Sequence, residues 1–328
     1  MNANAIRAGF LTSVQDLGRT GVREFGVSLG GALDTHALRV ANLLAGNDDS
    51  AAGLEVTFGG LRLGFSDDRV LVWCGAEFKA AIGSTPIEAG HPAVIHAEEE
   101  FSIESPSRGC RAWLAISGGI DVPLVLGSRG GDLRAGFGGL HGRPLRDGEQ
   151  FPLGENPSRA KILIENLRRE RVGRWKPPHD WSNPARRGAT LRYVEGTDSH
   201  RFLDSARESF ATGSFSVSPD SDRMGIRLDG PSLERQEKVD LLSEAVAPGT
   251  VQVPPNGKPI LLLNDCQTIG GYPKIAHVIT IDLPTATQLC PGDQIRFAKV
   301  SIGHAHALLV ERAHNLEQFR RGLESRYK

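Results

Sequence analysis

Short apolar runs bounded by Gly, Pro or Ser recur along the chain: VLVWCGA at 70–76, PAVIHA at 92–97, RAWLAISGG at 111–119 and VPLVLGS at 122–128. Runs of four to eight residues rich in Val, Ile and Leu with regular punctuation predict β-strands of a sandwich or barrel. The texture returns later in TLRYVEG at 190–196, GTVQVP at 249–254, PILLLND at 259–265, HVITIDL at 277–283, QIRFAKV at 294–300 and HALLVER at 306–312. Few helices stand out. In DTHALRVANLLAGN, Asp34 can cap the first turn, Leu38, Ala41 and Leu44 recur at helical spacing, and Gly46 stops the run. HRFLDSARESFA at 200–211 and the C-terminal NLEQFRRGLESR are the other two.

The pattern predicts a mainly β protein with short helices, each half a compact β-barrel with helical caps. Expected boundaries are a barrel-like domain over 1–155, a linker or surface arm over 156–188, a barrel over 189–312 and a helical tail over 313–328. Prolines at 177, 178 and 184 keep the arm out of any central sheet, because proline lacks the ladder N–H. A length of 328 residues agrees with about two domains. The 39 glycines exceed the usual ~7% and imply many turns.

Charge and cysteine usage narrow the function. Lys and Arg total 38 against 39 Asp and Glu, so no global field draws a polyanion or an anionic membrane. The Arg/Lys cluster before residue 188 has only Trp175 and Trp181 interleaved, too little for a nucleic-acid surface. No apolar run approaches the ~18 residues of a membrane span. Cys74, Cys110, Cys266 and Cys290 form no CxxC pair or zinc spacing and read as four reduced thiols. The first residues, MNANAIRAG, carry no hydrophobic leader core, which points to the cytoplasm.

Familiar catalytic signatures are missing. There is no GxxxxGK[ST] loop, and neither GFGGLHGR at 136–143 nor GVSLGGALD at 26–34 has dinucleotide spacing. His304 and His306 alternate on the expected strand 306–312 and its approach, but no third ligand accompanies them, so no metal site is expected. A nucleophilic Cys266 would need a placed histidine that the sequence does not reveal. Polar residues instead concentrate in loops. PDSDRMGIRLDG at 219–230 sets Asp222 beside Arg223, which can grip a carboxylate or phosphate bidentately; turn chemistry explains the Asp and Ser equally well. In PPNGKPILLLNDCQTIGGYPKIA at 254–276, a buried strand delivers Asp265 and Gln267 to one edge before the Gly270–Gly271 turn. Asp265 offers a base or metal ligand, Gln267 an amide reader, and the glycines free N–H groups for an anion. Gln252, Tyr272 and Lys274 complete this binding set, with Lys274 expected to add charge at the mouth. Gln15, Asp16, Arg19, Asp34 and Asn42 form a second candidate site, for which caps and turns are the competing account.

SVQDLGRTG, GALDTHALRVANLLAGN, LEVTFGG, AISGGIDVPLVLGSRG, SDRMGIRL, the long LLSEAVAPGTVQVPPNGKPILLLNDCQTIGGYPKIAHV and PGDQIRF occur in this order along almost the whole chain. In them the chain resembles the biotin-dependent carboxyltransferase-like proteins, which include the C subunit of 5-oxoprolinase and the allophanate hydrolase subunit 2-like half of urea carboxylase. The resemblance implies cyclophilin-like β-barrel domains. It also implies ATP-driven opening of 5-oxoproline to glutamate, in a complex with a B-subunit-like (allophanate hydrolase subunit 1-like) chain and an A-subunit-like chain. The family alternatives are a carboxyltransferase component acting on urea or a related amide with carboxybiotin, and a non-catalytic regulator binding a kinase-inhibitor-like partner. No Met-Lys-Met biotin-attachment motif is present among Met1 and Met224, and no ATP-grasp domain is fused. Two departures bear on substrate: Arg commonly stands where this chain has Cys266, and Thr where it has Ile269.

Overall fold

In the computed structural model, residues 1–182, 188–237 and 241–326 are described. The chain divides into two compact units, one of Met1–Arg19, Gly30–Ala185 and Leu316–Lys328, the other of Thr20–Leu29 and Arg186–Asn315. Ten residues from the N-terminal half, Thr20–Leu29, thus group with the second unit, and the end of the chain with the first. Neither exchange carries a local sequence signal.

The first unit holds two antiparallel sheets. One runs in the order Glu149–Pro152, Asn2–Ala8, Leu61–Phe65, Glu100–Ile103, Ala80–Ile82 and Thr85–Ile87; the other runs Leu11–Gln15, Gly53–Thr57, Arg108–Ile116, Arg69–Glu77 and Ala93–Ile95. Leu61, Leu63 and Phe65 enter one shared core while Arg62 between them is exposed, the period-two pattern of a half-buried strand. Arg69–Glu77 is buried along nearly its whole length because the helix Thr35–Leu44 covers its other face. Asp34 caps that helix, accepting from the Ala37 N–H at 2.9 Å. The Ser158–Asn166 helix buries Ala160 and Leu163, and Trp175 stacks on Phe319 with ring centroids 5.1 Å apart. The stretch expected as an arm therefore packs within this unit; its positions 183–187 lie outside the described residues.

The second unit is a closed barrel in the order Gly188–Glu195, Lys274–Val278, Thr250–Gln252, Ile260–Leu262, Gly225–Asp229, Phe215–Val217 and Gln294–Lys299. A parallel ladder between the first and last of these closes it. The helix Asp204–Thr212 sends Phe210 against Phe297, centroids 4.3 Å apart, with Tyr193 and Phe215 packed around them. The mainly β reading therefore holds, with one closed barrel and one pair of packed sheets.

Three expected elements differ. HALLVER lies within the helix Ile302–Arg326, which also takes in the expected tail up to Arg326, positions 327–328 lying outside the described residues; it is long, not short. VPLVLGS is a turn: Val125 and Ser128 exchange backbone hydrogen bonds around Leu126 and Gly127, both at positive φ, leaving Leu124 and Leu126 exposed. HVITIDL holds only the end of the strand Lys274–Val278, followed by a 3-10 turn Thr280–Asp282 and the short helix Leu283–Ala286 with proline in its first turn.

Candidate functional site

The barrel strands Gly225–Asp229 and Ile260–Leu262 run antiparallel with Gly225 opposite Leu262. This register brings Arg223, two residues before one strand, against Asp265, three residues after the other. Backbone bonds extend the ladder: Leu263 N–H donates to the Met224 carbonyl at 2.8 Å, and Asp265 N–H to that of Arg223 at 3.2 Å. The side chains then lock, Arg223 Nε to Asp265 Oδ2 at 2.8 Å and Nη2 to Oδ1 at 3.1 Å. Both residues are buried. A bidentate, desolvated pair of this kind fixes orientation strongly, and it engages both oxygens of the carboxylate expected to act as a base. Asp222 beside it is exposed and shapes the turn, its Oδ1 accepting from Met224 N–H at 2.8 Å and Gly225 N–H at 3.2 Å.

Next to this pair lies a carboxamide relay. Buried Gln252 donates through Nε2 to the Tyr272 carbonyl at 3.1 Å and accepts at Oε1 from Gln267 Nε2 at 3.2 Å. Gln267 is exposed and Tyr272 half exposed, so one end of the relay faces solvent. A Cβ at position 270 would stand 2.8 Å from Gln252 Nε2. A side chain here would press on the protein's own carboxamide. At Gly271 a Cβ would come within 3.0 Å of the Leu241 carbonyl.

Lys274 does not put charge at a mouth. It is buried, its Nζ bonded to Glu244 at 2.5 Å and 3.4 Å from Asp198 Oδ2, which also accepts from the Lys274 N–H. Burial alone would push its pKa down, but these two carboxylates outweigh that and raise it. Its neighbour His277, with Nδ1 3.2 Å from Thr250 Oγ1, is held below the usual histidine range by burial and, secondarily, by the Lys274 charge.

Arg23, which no motif marked, belongs to this site. From the Thr20–Leu29 segment its Nη2 donates to the Val246 carbonyl at 2.6 Å and reaches the Gln267 carbonyl at 3.4 Å. The thiol of Cys266 is buried and pushed up by burial, the Arg23 guanidinium pulling the other way. A protonated, enclosed thiol is a poor nucleophile. Over two hundred residues separate Arg23 from this loop, so only the fold could reveal the contact.

The second candidate set collects in the first unit, where its polar groups serve the fold. Asp16 accepts from Ser128 Oγ at 2.6 Å, Arg129 N–H at 2.6 Å and Gly18 N–H at 2.9 Å. Gln15 donates to the Gly131 carbonyl at 3.1 Å, and Arg19 donates to that of Gly130 and lies over the Phe137 ring. Asn42 donates to the Ala51 carbonyl at 2.7 Å, and Asp34 caps its helix. Among the described residues no His, Cys, Asp and Glu group could hold a metal. His304 and His306 sit on a helix two residues apart, where side chains diverge.

Sequence and structure comparisons extend this local picture. The family model for the carboxyltransferase domain, subdomains A and B, matches residues 25–299. The C subunit of the 5-oxoprolinase of Escherichia coli is 39% identical over 92% of both chains, and that of Haemophilus influenzae 34% identical over 94% of both. The urea amidolyase of Saccharomyces cerevisiae is 28% identical over 92% of this chain but only 17% of its own length. Among solved structures, the Kluyveromyces lactis urea carboxylase superposes with a TM-score of 0.88 at 26% identity, covering 98% of this chain and 29% of that one. No helix among the described residues is long and apolar enough to cross a membrane.

Proposed function

The chain belongs to the carboxyltransferase family of subdomains A and B, and from that premise we propose that it is the C subunit of a heteromeric, ATP-dependent 5-oxoprolinase that opens 5-oxo-L-proline to L-glutamate. The observation that carries this reading is the end-to-end match to two proteins named as the C subunit of 5-oxoprolinase, each aligned over nine-tenths of both chains. The urea amidolyases match only as a fraction of much longer polypeptides.

A lactam is a poor electrophile. In the proposed reaction, ATP transfers its terminal phosphoryl group to the lactam carbonyl oxygen; one water attacks that carbon and the C–N bond breaks, the ring nitrogen taking a proton, to leave an acyl phosphate; a second water then hydrolyses the acyl phosphate to the carboxylate and inorganic phosphate. This chain's part is to read the amide and hold the groups around it. Gln267, exposed and bonded through its Nε2 to Gln252, can exchange that partner for the lactam N–H and carbonyl without unfolding anything. Arg23 fixes the Gln267 backbone, and the Arg223–Asp265 pair fixes the loop from its other side. Asp265 thus enters the proposal as a positioning residue, in place of the base its sequence context suggested.

ATP is proposed to be held together with the A-subunit-like and B-subunit-like partner chains, since the chain has no phosphate loop. One specific observation favours the alternative, a carboxyltransferase acting on urea or a similar amide with carboxybiotin: the superposition on urea carboxylase. Both reactions ask for an amide reader. Co-purification with the candidate partner chains, followed by an assay of 5-oxoproline-dependent ADP release, tests the proposal. Activity is expected in the complex and none from this chain alone. Turnover that requires a biotin carrier protein would select the alternative.

A further inference from the structure

Against the Gly270–Tyr272 turn, a cavity of about 230 Å³ is lined by His200, Arg201, Arg235, Gln236, Glu237 and Pro273. Pro273 joins it to the site above, since it follows Tyr272, whose carbonyl anchors Gln252. The basic residues come from two segments clipped together by backbone bonds: Phe202 and Arg235 form an antiparallel bridge, Leu203 N–H donates to the Glu234 carbonyl at 3.1 Å and Gln236 N–H to that of Arg201 at 2.8 Å. Gln236 Nε2 adds a bond to the Phe202 carbonyl at 3.3 Å. Their spacing is thus set by the backbone.

The charge balance of the lining favours an anion. Among the described lining residues, two arginines and a histidine stand with one carboxylate, Glu237. Asp198 is shared between Lys274 and Arg201, whose Nε lies 3.4 Å away. Size limits the ligand: sites for drug-sized molecules run roughly 300–1,000 Å³, so the cavity accommodates one small acid or a terminal phosphate, not a whole nucleotide. Guanidinium groups match the oxygens of both anions.

We propose that this cavity binds a substrate oxyanion, either the carboxylate of a small lactam acid or the terminal phosphate of a nucleotide. The identity of the ligand rests on the function proposed above; the anion site itself does not. Titration calorimetry of the full chain at low ionic strength, with inorganic phosphate and with 5-oxo-L-proline, tests it, using 2-pyrrolidinone as the control that lacks the carboxylate. At least one anion is expected to bind, and 2-pyrrolidinone is not. The double variant His200→Ala/Arg235→Ala should weaken binding tenfold or more, and Arg235→Lys alone should retain part of it. If neither anion binds, or if the double variant folds and binds as the parent does, the proposal fails. In the reconstituted complex, a raised KM for 5-oxoproline alone identifies the carboxylate as the ligand, and a raised KM for ATP alone the phosphate. Both constants unchanged would overturn the site. A complex that does not hydrolyse 5-oxoproline, with anion binding still dependent on Arg235, would remove the proposed function and leave the cavity's role standing.

Discussion

Two clusters built from the same residue types do different work. In the first unit, Gln15, Asp16, Arg19, Asp34 and Asn42 are all buried and spend their hydrogen bonds on loop backbones, a helix cap and a neighbouring hydroxyl. In the barrel, Gln252, Arg223 and Asp265 are equally buried; Arg223 and Asp265 pair with each other, and Gln252 bonds to the side chain of exposed Gln267 and the carbonyl of half-exposed Tyr272. Buried amides and carboxylates therefore do not identify a reactive site by themselves. What sets the barrel cluster apart is the Gln252–Gln267 bond, which reaches an exposed residue where a ligand can replace the partner.

The sharpest way to break this contrast is to remove Asp16. Asp16→Ala strands the Ser128 hydroxyl and two backbone N–H groups, at about 1–3 kcal/mol for each unsatisfied donor. Because the Arg129 and Gly18 N–H groups are only part-buried, stability of the first unit should fall by about 3–6 kcal/mol, the lower part of the range for three donors. Turnover per folded molecule of the assembled complex should stay as it was. All four tryptophans lie in this unit, so their fluorescence during urea unfolding reports on it alone. A stable Asp16→Ala protein with lost turnover would make the first unit the reactive one.

The converse experiment targets Asp265. Asparagine keeps one acceptor for Arg223, so the barrel should survive Asp265→Asn, but the charge-assisted fork is lost and the loop carrying Gln267 loosens. Turnover of the complex should drop by about a hundredfold, the scale on which slight misplacement of reacting groups acts. On the proposed reading, in which Asp265 positions and does not transfer protons, the acid limb of the kcat–pH profile should persist, and Arg223→Ala should reproduce the loss. Disappearance of that limb in Asp265→Asn alone would restore Asp265 as the base.

Gln267→Ala should have a smaller effect, confined to substrate. The residue is exposed, so unfolding midpoints should hold, while KM for the lactam rises about tenfold, roughly 1.4 kcal/mol for one lost amide contact. Equal KM values for Gln267→Ala and the parent would show that the relay ends without reading a ligand.

These contrasts also explain what could be read from the sequence. Barrel strands such as Gln294–Lys299 were legible because one face is buried and period-two alternation follows. The approach of Arg223 to Asp265 was legible in outline, since a buried strand must deliver its trailing residues to one end. The last part of the helix Ile302–Arg326, NLEQFRRGLESR, was legible, but its first part was not, because Ile302, Leu309 and Val310 are exposed and no single buried stripe marks a helical period. Lys274 misled because a lysine after a turn reads as surface charge, whereas Asp198 and Glu244, distant in sequence, draw it inside. Arg23 lay beyond reach for the same reason, its partners being set by a long-range crossing of the chain.

The smallest expected effect separates the units by pH. His277 has a folded-state pKa below its unfolded value near 6.5, from burial and then from the Lys274 charge. Below pH 6.5 the unfolded chain binds a proton that the folded barrel resists, so stability contributed by neutral His277 is full above that pH. It declines as pH falls from 6.5 toward the depressed folded value. Thr250 Oγ1 at 3.2 Å from Nδ1 ties this titration to the strand that carries Gln252. Hydrogen exchange of the Thr250–Gln252 amides should therefore quicken modestly as pH drops through this window, after correction for intrinsic exchange rates. His277→Gln, which cannot titrate, should flatten the change. Tryptophan-detected unfolding of the first unit should keep its pH dependence in that variant. An unaltered exchange profile in His277→Gln would mean that the barrel strand does not feel the histidine's charge.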